Sequence, residues 1–181
     1  MKENPPFIPD GSQTVGPYFR IGLEYLVDRE PKFKPEEPGI VEITGRVLDA
    51  NGDGVPDAML EFWSPHASSR QPGYPDGFRR VGTDDEGRYT VLVRKPDAQP
   101  YPGGSQAPHE LVLVFSRGLL RNLITRVYFG EDSANDADPV LSSLDPARRP
   151  TLVARPSPGR ANAYEWDVIL QGDAETVFFD W

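Results

Sequence analysis

The chain has 181 residues, a formal net charge of −9 and no cysteine. It is long enough for one domain with a real core, and it has no disulfide or thiolate metal site. The negative balance argues against nucleic acid and anionic membrane as partners, and any anionic ligand needs a locally positive pocket. No apolar run reaches the roughly 18 residues of a transmembrane helix, and MKENPPFIPDGSQT lacks the apolar centre of a signal peptide. With no cysteine, the expected location is the cytoplasm.

The 20 prolines and 17 glycines are spread between short apolar runs, the texture of an all-β fold with many turns. Residues 1–39 read as an arm and linker, and residues 40–181 as the β domain. In TVGPYF, Thr14 to Phe19, Gly16 before Pro17 imposes an extended turn and lets another group approach the backbone. YFRIGLEYLVD has Phe19, Leu23 and Leu26 on one helical face, weakened by Gly22. IVEITGRVLD alternates Val41, Ile43 and Val47 against Glu42, Thr44 and Arg46, as a strand does.

DANGDG reads as a tight turn. Asp49, Asn51, Asp53 and Gly54 match the first half of a calcium loop, but Leu60 stands where the twelfth-position glutamate belongs. AMLEFW (Ala58 to Trp63) and RYTVLVR (Arg88 to Arg94) are further strands. SPHASSRQPGYPDGF and KPDAQPYPGGSQAP read as loops. Glu110 to Ser116 is apolar on both faces, Leu111, Leu113 and Phe115 on one and Val112 and Val114 on the other, as in a central strand. Ile124 to Phe129 places Ile124, Arg126 and Tyr128 opposite Thr125, Val127 and Phe129. A cation inside such a strand needs water or an anion. The pattern alone fits an edge strand with Arg126 in solvent as well as a buried Arg126 with an anionic partner.

GEDSANDADPVLSSLDPARRP is an irregular acidic crossing with at most one helical turn, and TLVAR, AYEWDVIL and ETVFFD close a Greek-key-type β-sandwich. The aromatic end VFFDW must dock on its own core or on another chain. Two histidines, His66 and His109, are too few for a metal site without tyrosinates or carboxylates.

TVGPYF, GRVLDANGDGVPDAMLEFW, TDDEGRYTVLVRKP, APHELVLVFSRGLLRNLITRVYF and ETVFFDW resemble, in order and spacing, the intradiol ring-cleaving dioxygenases. The resemblance implies a prealbumin-like sandwich and a ferric ion held by two tyrosinates and two histidines. Gln71 falls at the first tyrosine position, Tyr101 at the second, His109 at the first histidine and Leu111 at the second. At least two ligands are missing, since glutamine and leucine cannot replace a phenolate and an imidazole on Fe(III). The resemblance therefore implies a subunit that binds no iron. Its partner is a homologous beta subunit that holds the Fe(III), and its own wall completes the substrate pocket. Thr14, Gly16 and Pro17 would line that pocket and Arg126 would face the substrate's carboxylate. The implied reaction is O2-dependent cleavage of protocatechuate (3,4-dihydroxybenzoate) to 3-carboxy-cis,cis-muconate. A non-enzymatic prealbumin-like binding or scaffolding module is the alternative reading.

Overall fold

The computed structural model describes residues 11, 13–30, 32–64 and 77–180. Two short helices come first, α1 (Pro17–Ile21) and α2 (Glu24–Val27). The single helix expected here is broken at Gly22 and Leu23, where glycine removes the propensity that would carry it through. The strands are β1 (Ile40–Leu48), β2 (Met59–Trp63), β3 (Phe78–Gly82), β4 (Arg88–Arg94), β5 (Gln99–Tyr101), β6 (Gly104–Gln106), β7 (His109–Phe115) and β8 (Leu123–Phe129). The acidic crossing holds α3 (Pro139–Ser143) between two 3₁₀ turns, Ser133–Ala137 and Arg149–Leu152, more helix than its composition suggests. β9 (Val153–Pro156), β10 (Ala163–Glu165) and β11 (Val168–Ile169) follow.

The fold is predominantly β. Nine strands form one hydrogen-bonded path, β11-β1-β10-β9-β8-β7-β2-β3, with β4 attached to β1. β5 and β6 make a separate hairpin. β8 is not an edge strand: it pairs antiparallel with β7 and parallel with β9. Arg126, which lies outside the stretch paired with β9, is also buried, 8% exposed, and the solvated alternative is excluded.

Inward residues of β1, β2, β4, β7 and β8, among them Val41, Phe62, Val91, Val112 and Phe129, share one core cluster. Alternation set by the pleat puts them there, and their burial drives folding. At the middle of β1, Gly45 admits the carbonyl of Trp166: a Cβ would stand 1.7 Å from that oxygen. Tyr89, opposite Gly45 in register, donates to the same oxygen at 2.7 Å. The chain crosses here from β10 to β11, and Asp167 accepts from the Arg46 amide at 2.8 Å. Asp49 Oδ1 accepts from the amides of Asn51 and Asp53, so the turn formers organise their own backbone.

A smaller cluster, Ala107, Tyr128, Leu141 and Leu152, packs with Val177 and Phe179 of the aromatic end. The end thus docks on its own chain. It is not a strand, yet Phe179 N donates to Ile124 O at 2.8 Å and Thr125 Oγ1 to Val177 O at 2.7 Å. Among the described residues no helix is long and apolar enough to cross a membrane.

Candidate functional site

The β7–β8 pair carries chemistry at both ends. At one end, β8 brings Arg126 opposite Leu111 and Tyr128 opposite His109. Residues directly opposite in a ladder share a face, so these four side chains stand together, with His109, Arg126 and Tyr128 buried. Arg126 Nη1 donates to Tyr128 Oη at 3.2 Å, and Tyr128 Oη donates to Asp138 Oδ1 at 3.3 Å. Asp138 is wholly buried and also accepts from the amides of Ala107, Val140 and Leu141. The last two bonds cap α3, so Asp138 fixes the helix, the approach to β7 and the tyrosine together.

Burial is the main cause that pushes the Tyr128 phenol up to about 12, so it stays protonated. The His109 ring lies 5.1 Å from that of Tyr128. Its Nδ1 donates to Ala107 O at 2.7 Å. Burial lowers its pKa, and the Arg126 charge adds to that. The imidazole is therefore neutral and held in one tautomer.

This donor set does not fit ferric iron. Leu111 has no donor atom. Tyr101 lies on the β5–β6 hairpin and is exposed. Gln71 and His66 lie outside the described residues.

At the other end of the hairpin, Gly118 N donates to Thr14 Oγ1 at 2.6 Å and ties the arm to the β7–β8 turn. Gly16 follows, extended at φ −90°, with open space where a Cβ would stand. Among the described residues nothing requires a glycine there. Pro17 opens α1. The Phe19 ring packs on Phe115 at 5.4 Å. Gln13, Val15, Phe19, Ser116 and Leu119 line a cavity of about 260 Å³.

The predicted residues thus fall in two places. Thr14, Gly16 and Pro17 stand together beside the turn, whereas Arg126 lies along the strands, opposite Leu111. Two cations stand near the arm: Arg117, between Ser116 and Gly118, exposed and without an ion pair among the described residues, and Arg121, which lines the cavity with Gln13 and Val15. Sequence reasoning missed Arg117 because a lone arginine in a turn reads as solvated surface. Only the contact with Thr14, 104 residues away, gives it a setting.

One buried group stands outside both places. Glu110, on the core face of β7, is fully buried and neither carboxyl oxygen has a hydrogen-bond partner. Burial raises its pKa well above the usual carboxylate value, against the opposing charge of Arg79.

A family model described as Dioxygenase matches residues 15–172. The chain is 42% identical over 191 residues to the protocatechuate 3,4-dioxygenase alpha chain of Burkholderia cepacia, covering 93% of this chain and 95% of that one. It is 32% identical over 151 residues to the beta chain of the same name and organism, covering 73% and 64%. Among solved structures, the dioxygenase domain of a carbohydrate-binding fusion from Streptomyces sp. SirexAA-E superposes with a TM-score of 0.57 at 20% identity. The match covers 95% of this chain and 96% of that one. At that identity the likeness speaks to fold alone.

Proposed function

Since this chain belongs to the dioxygenase family, we propose that it is the alpha subunit of an intradiol dioxygenase acting on protocatechuate. The observation that carries the reading is the departure at the ligand positions. Gln71 and Leu111 cannot serve Fe(III), in a chain 42% identical to an alpha chain along nearly its whole length. A homologous beta subunit holds the iron, which supplies the chemistry toward O2 when bound there. The two halves of the β path, β11-β1-β10-β9 with β4 and β8-β7-β2-β3, act as the two layers of a Greek-key-type sandwich.

This chain supplies a wall and a charge. Thr14, Gly16 and Pro17 line the shared pocket, where the bare face of Gly16 lets a ring approach the backbone. A guanidinium pairs with the substrate's carboxylate and draws an anion toward a chain of net charge −9. The resemblance assigns that role to Arg126. The hydrogen bond from Gly118 to Thr14 favours a second reading, in which the exposed Arg117 beside the arm takes it. Orientation and charge pairing are the contribution in either case.

The test is co-production with a homologous beta chain, followed by turnover of protocatechuate and of unsubstituted catechol. Removing the carboxylate-binding arginine should raise KM for protocatechuate about tenfold or more, as loss of a charged hydrogen bond worth about 1.5–3 kcal/mol requires. KM for catechol should stay unchanged. Arg117→Ala and Arg126→Ala, measured side by side, assign the role. Equal effects on both substrates in both variants would remove this chain's cations from the pocket. Full turnover by the beta chain alone would overturn the subunit assignment.

A further inference from the structure

The arm is held to the body of the fold at separate points. Thr14 Oγ1 accepts from the Gly118 amide at one end. Beyond the two helices, Glu30 Oε1 accepts from the Arg80 amide at 2.8 Å. Between those pins α2 stands off β3 and β4 across a cavity of about 520 Å³, with Val27, Phe33, Met59 and Val81 among its lining residues. Arg20, in the last turn of α1, reaches across to the body. Its Nη1 lies 3.2 Å from Asp57 Oδ1 and its Nη2 3.3 Å from Glu24 Oε1 on α2. One guanidinium fork therefore joins both helices to the segment that leads into β2.

The body is shaped to receive that side chain. Asp57 has φ +59°, in the left-handed region that aspartate and asparagine tolerate better than most residues. The buried Thr83 fixes the backbone on either side of it: its Oγ1 accepts from the Ala58 amide at 2.9 Å and donates to Val55 O at 2.9 Å. Gly82, the last residue of β3, leaves a slot for the same guanidinium. A Cβ there would stand 2.2 Å from Arg20 Nε and 2.9 Å from its Cδ. Close approach of the arginine is thus what asks for a glycine at this place. The paired side chains are 28% and 31% exposed, so the ion pair by itself is modest, and the slot adds the geometry.

We propose that Arg20, seated over Gly82 and paired with Asp57, is a positioning residue: it sets where Gly16 and Pro17 stand in the wall of the pocket. Arg20 lies three residues from Pro17 in one five-residue helix, so the helix and its entry move with it. The proposal rests on the reading that the arm lines a pocket shared with the beta subunit.

The test uses two readouts. Amide exchange on the full chain alone reads the clasp without turnover. Asp57→Asn keeps a residue suited to the left-handed turn and removes the charge, whereas Gly82→Ala keeps both charges and fills the slot. Each should speed exchange at the Phe19, Gly22 and Leu23 amides, which close the turns of the arm, by up to about fivefold, and leave β7 as in wild type. Adding Arg20→Gln to Asp57→Asn should bring little beyond Arg20→Gln alone. Thermal unfolding of each variant checks that the domain is intact. In the complex with a homologous beta chain, both variants should raise KM for protocatechuate, in proportion to the unseated fraction of the arm, with kcat within about twofold of wild type. Unchanged exchange at the three amides in both variants overturns the clasp, whatever the kinetics. Faster exchange with KM unchanged overturns the positioning role. A wild-type complex that does not turn over protocatechuate overturns the dioxygenase reading and the positioning role with it, while the exchange rates still decide the clasp.

Discussion

Replacing Glu110 by glutamine tests how this fold tolerates an acid in its core. Glu110 is wholly buried on the Val112 and Val114 face of β7, with no hydrogen bond to either oxygen. Extending the β2–β7 register by one residue sets it opposite Ser64, whose hydroxyl is also unpartnered. Burial outweighs the nearby Arg79 charge and raises the carboxyl pKa well above its usual value. The unfolded chain ionises the group near pH 4.3, whereas the folded chain keeps the proton, so folding takes up a proton above roughly that pH. Stability then falls by about 1.4 kcal/mol for each pH unit, from the unfolded value up to the raised folded value. The amide of Glu110→Gln keeps shape and removes the slope.

Between pH 5 and pH 6 the variant should gain on wild type, by up to about 1.4 kcal/mol. His109 pulls the other way. Its lowered pKa means that folding releases its proton, and stability drops as pH falls below about 6.5. The difference between wild type and Glu110→Gln cancels that contribution. Urea or thermal unfolding at pH 5.0, 5.5 and 6.0 reads the slope. A difference that stays constant across those three values would mean that the carboxyl is ionised inside the protein, and the desolvation argument would fail.

Two further substitutions probe the frame around the sites. Gly45→Ala drives a methyl into the Trp166 carbonyl and should cost about 3 kcal/mol or more, read as a lower urea midpoint, while Tyr89→Phe, which loses only the bond to that oxygen, should cost about 1 kcal/mol. Asp138→Ala removes the cap of α3 and the acceptor for Ala107 and Tyr128, so a loss of about 3 kcal/mol or more is expected. Amide exchange should then accelerate first at Val140 and Leu141; loss spread evenly over the chain would contradict a local role.

Much of the frame was legible from residue order. β4 runs over the same seven residues that the Tyr89, Val91, Val93 alternation marks, and β1 and β2 lie within a residue or two of their expected bounds. β3 was hidden because Arg79 and Arg80 break its apolar pattern. Arg79 is nonetheless buried, stacked 3.9 Å from the Phe33 ring, a partner distant in sequence. The β5–β6 hairpin was hidden by Pro100, which the hairpin tolerates because each strand has only one neighbour. The burial of Arg126 could not be read locally, because the Phe179 ring over its guanidinium comes from the far end of the chain. The resemblance supplied a set of candidate residues, but not their geometry. The arm was named, whereas its anchoring at Gly118, and with it Arg117, needed three dimensions.

The central claim is that this chain lends wall and charge to an iron centre it does not build. The most direct measurement is metal analysis of the purified chain and of its complex with a homologous beta chain, each after loading with ferric iron and desalting. The account predicts iron in proportion to beta chains in the complex, and none retained by this chain alone. Stoichiometric iron retained by this chain alone, lost on substituting His109, would contradict it.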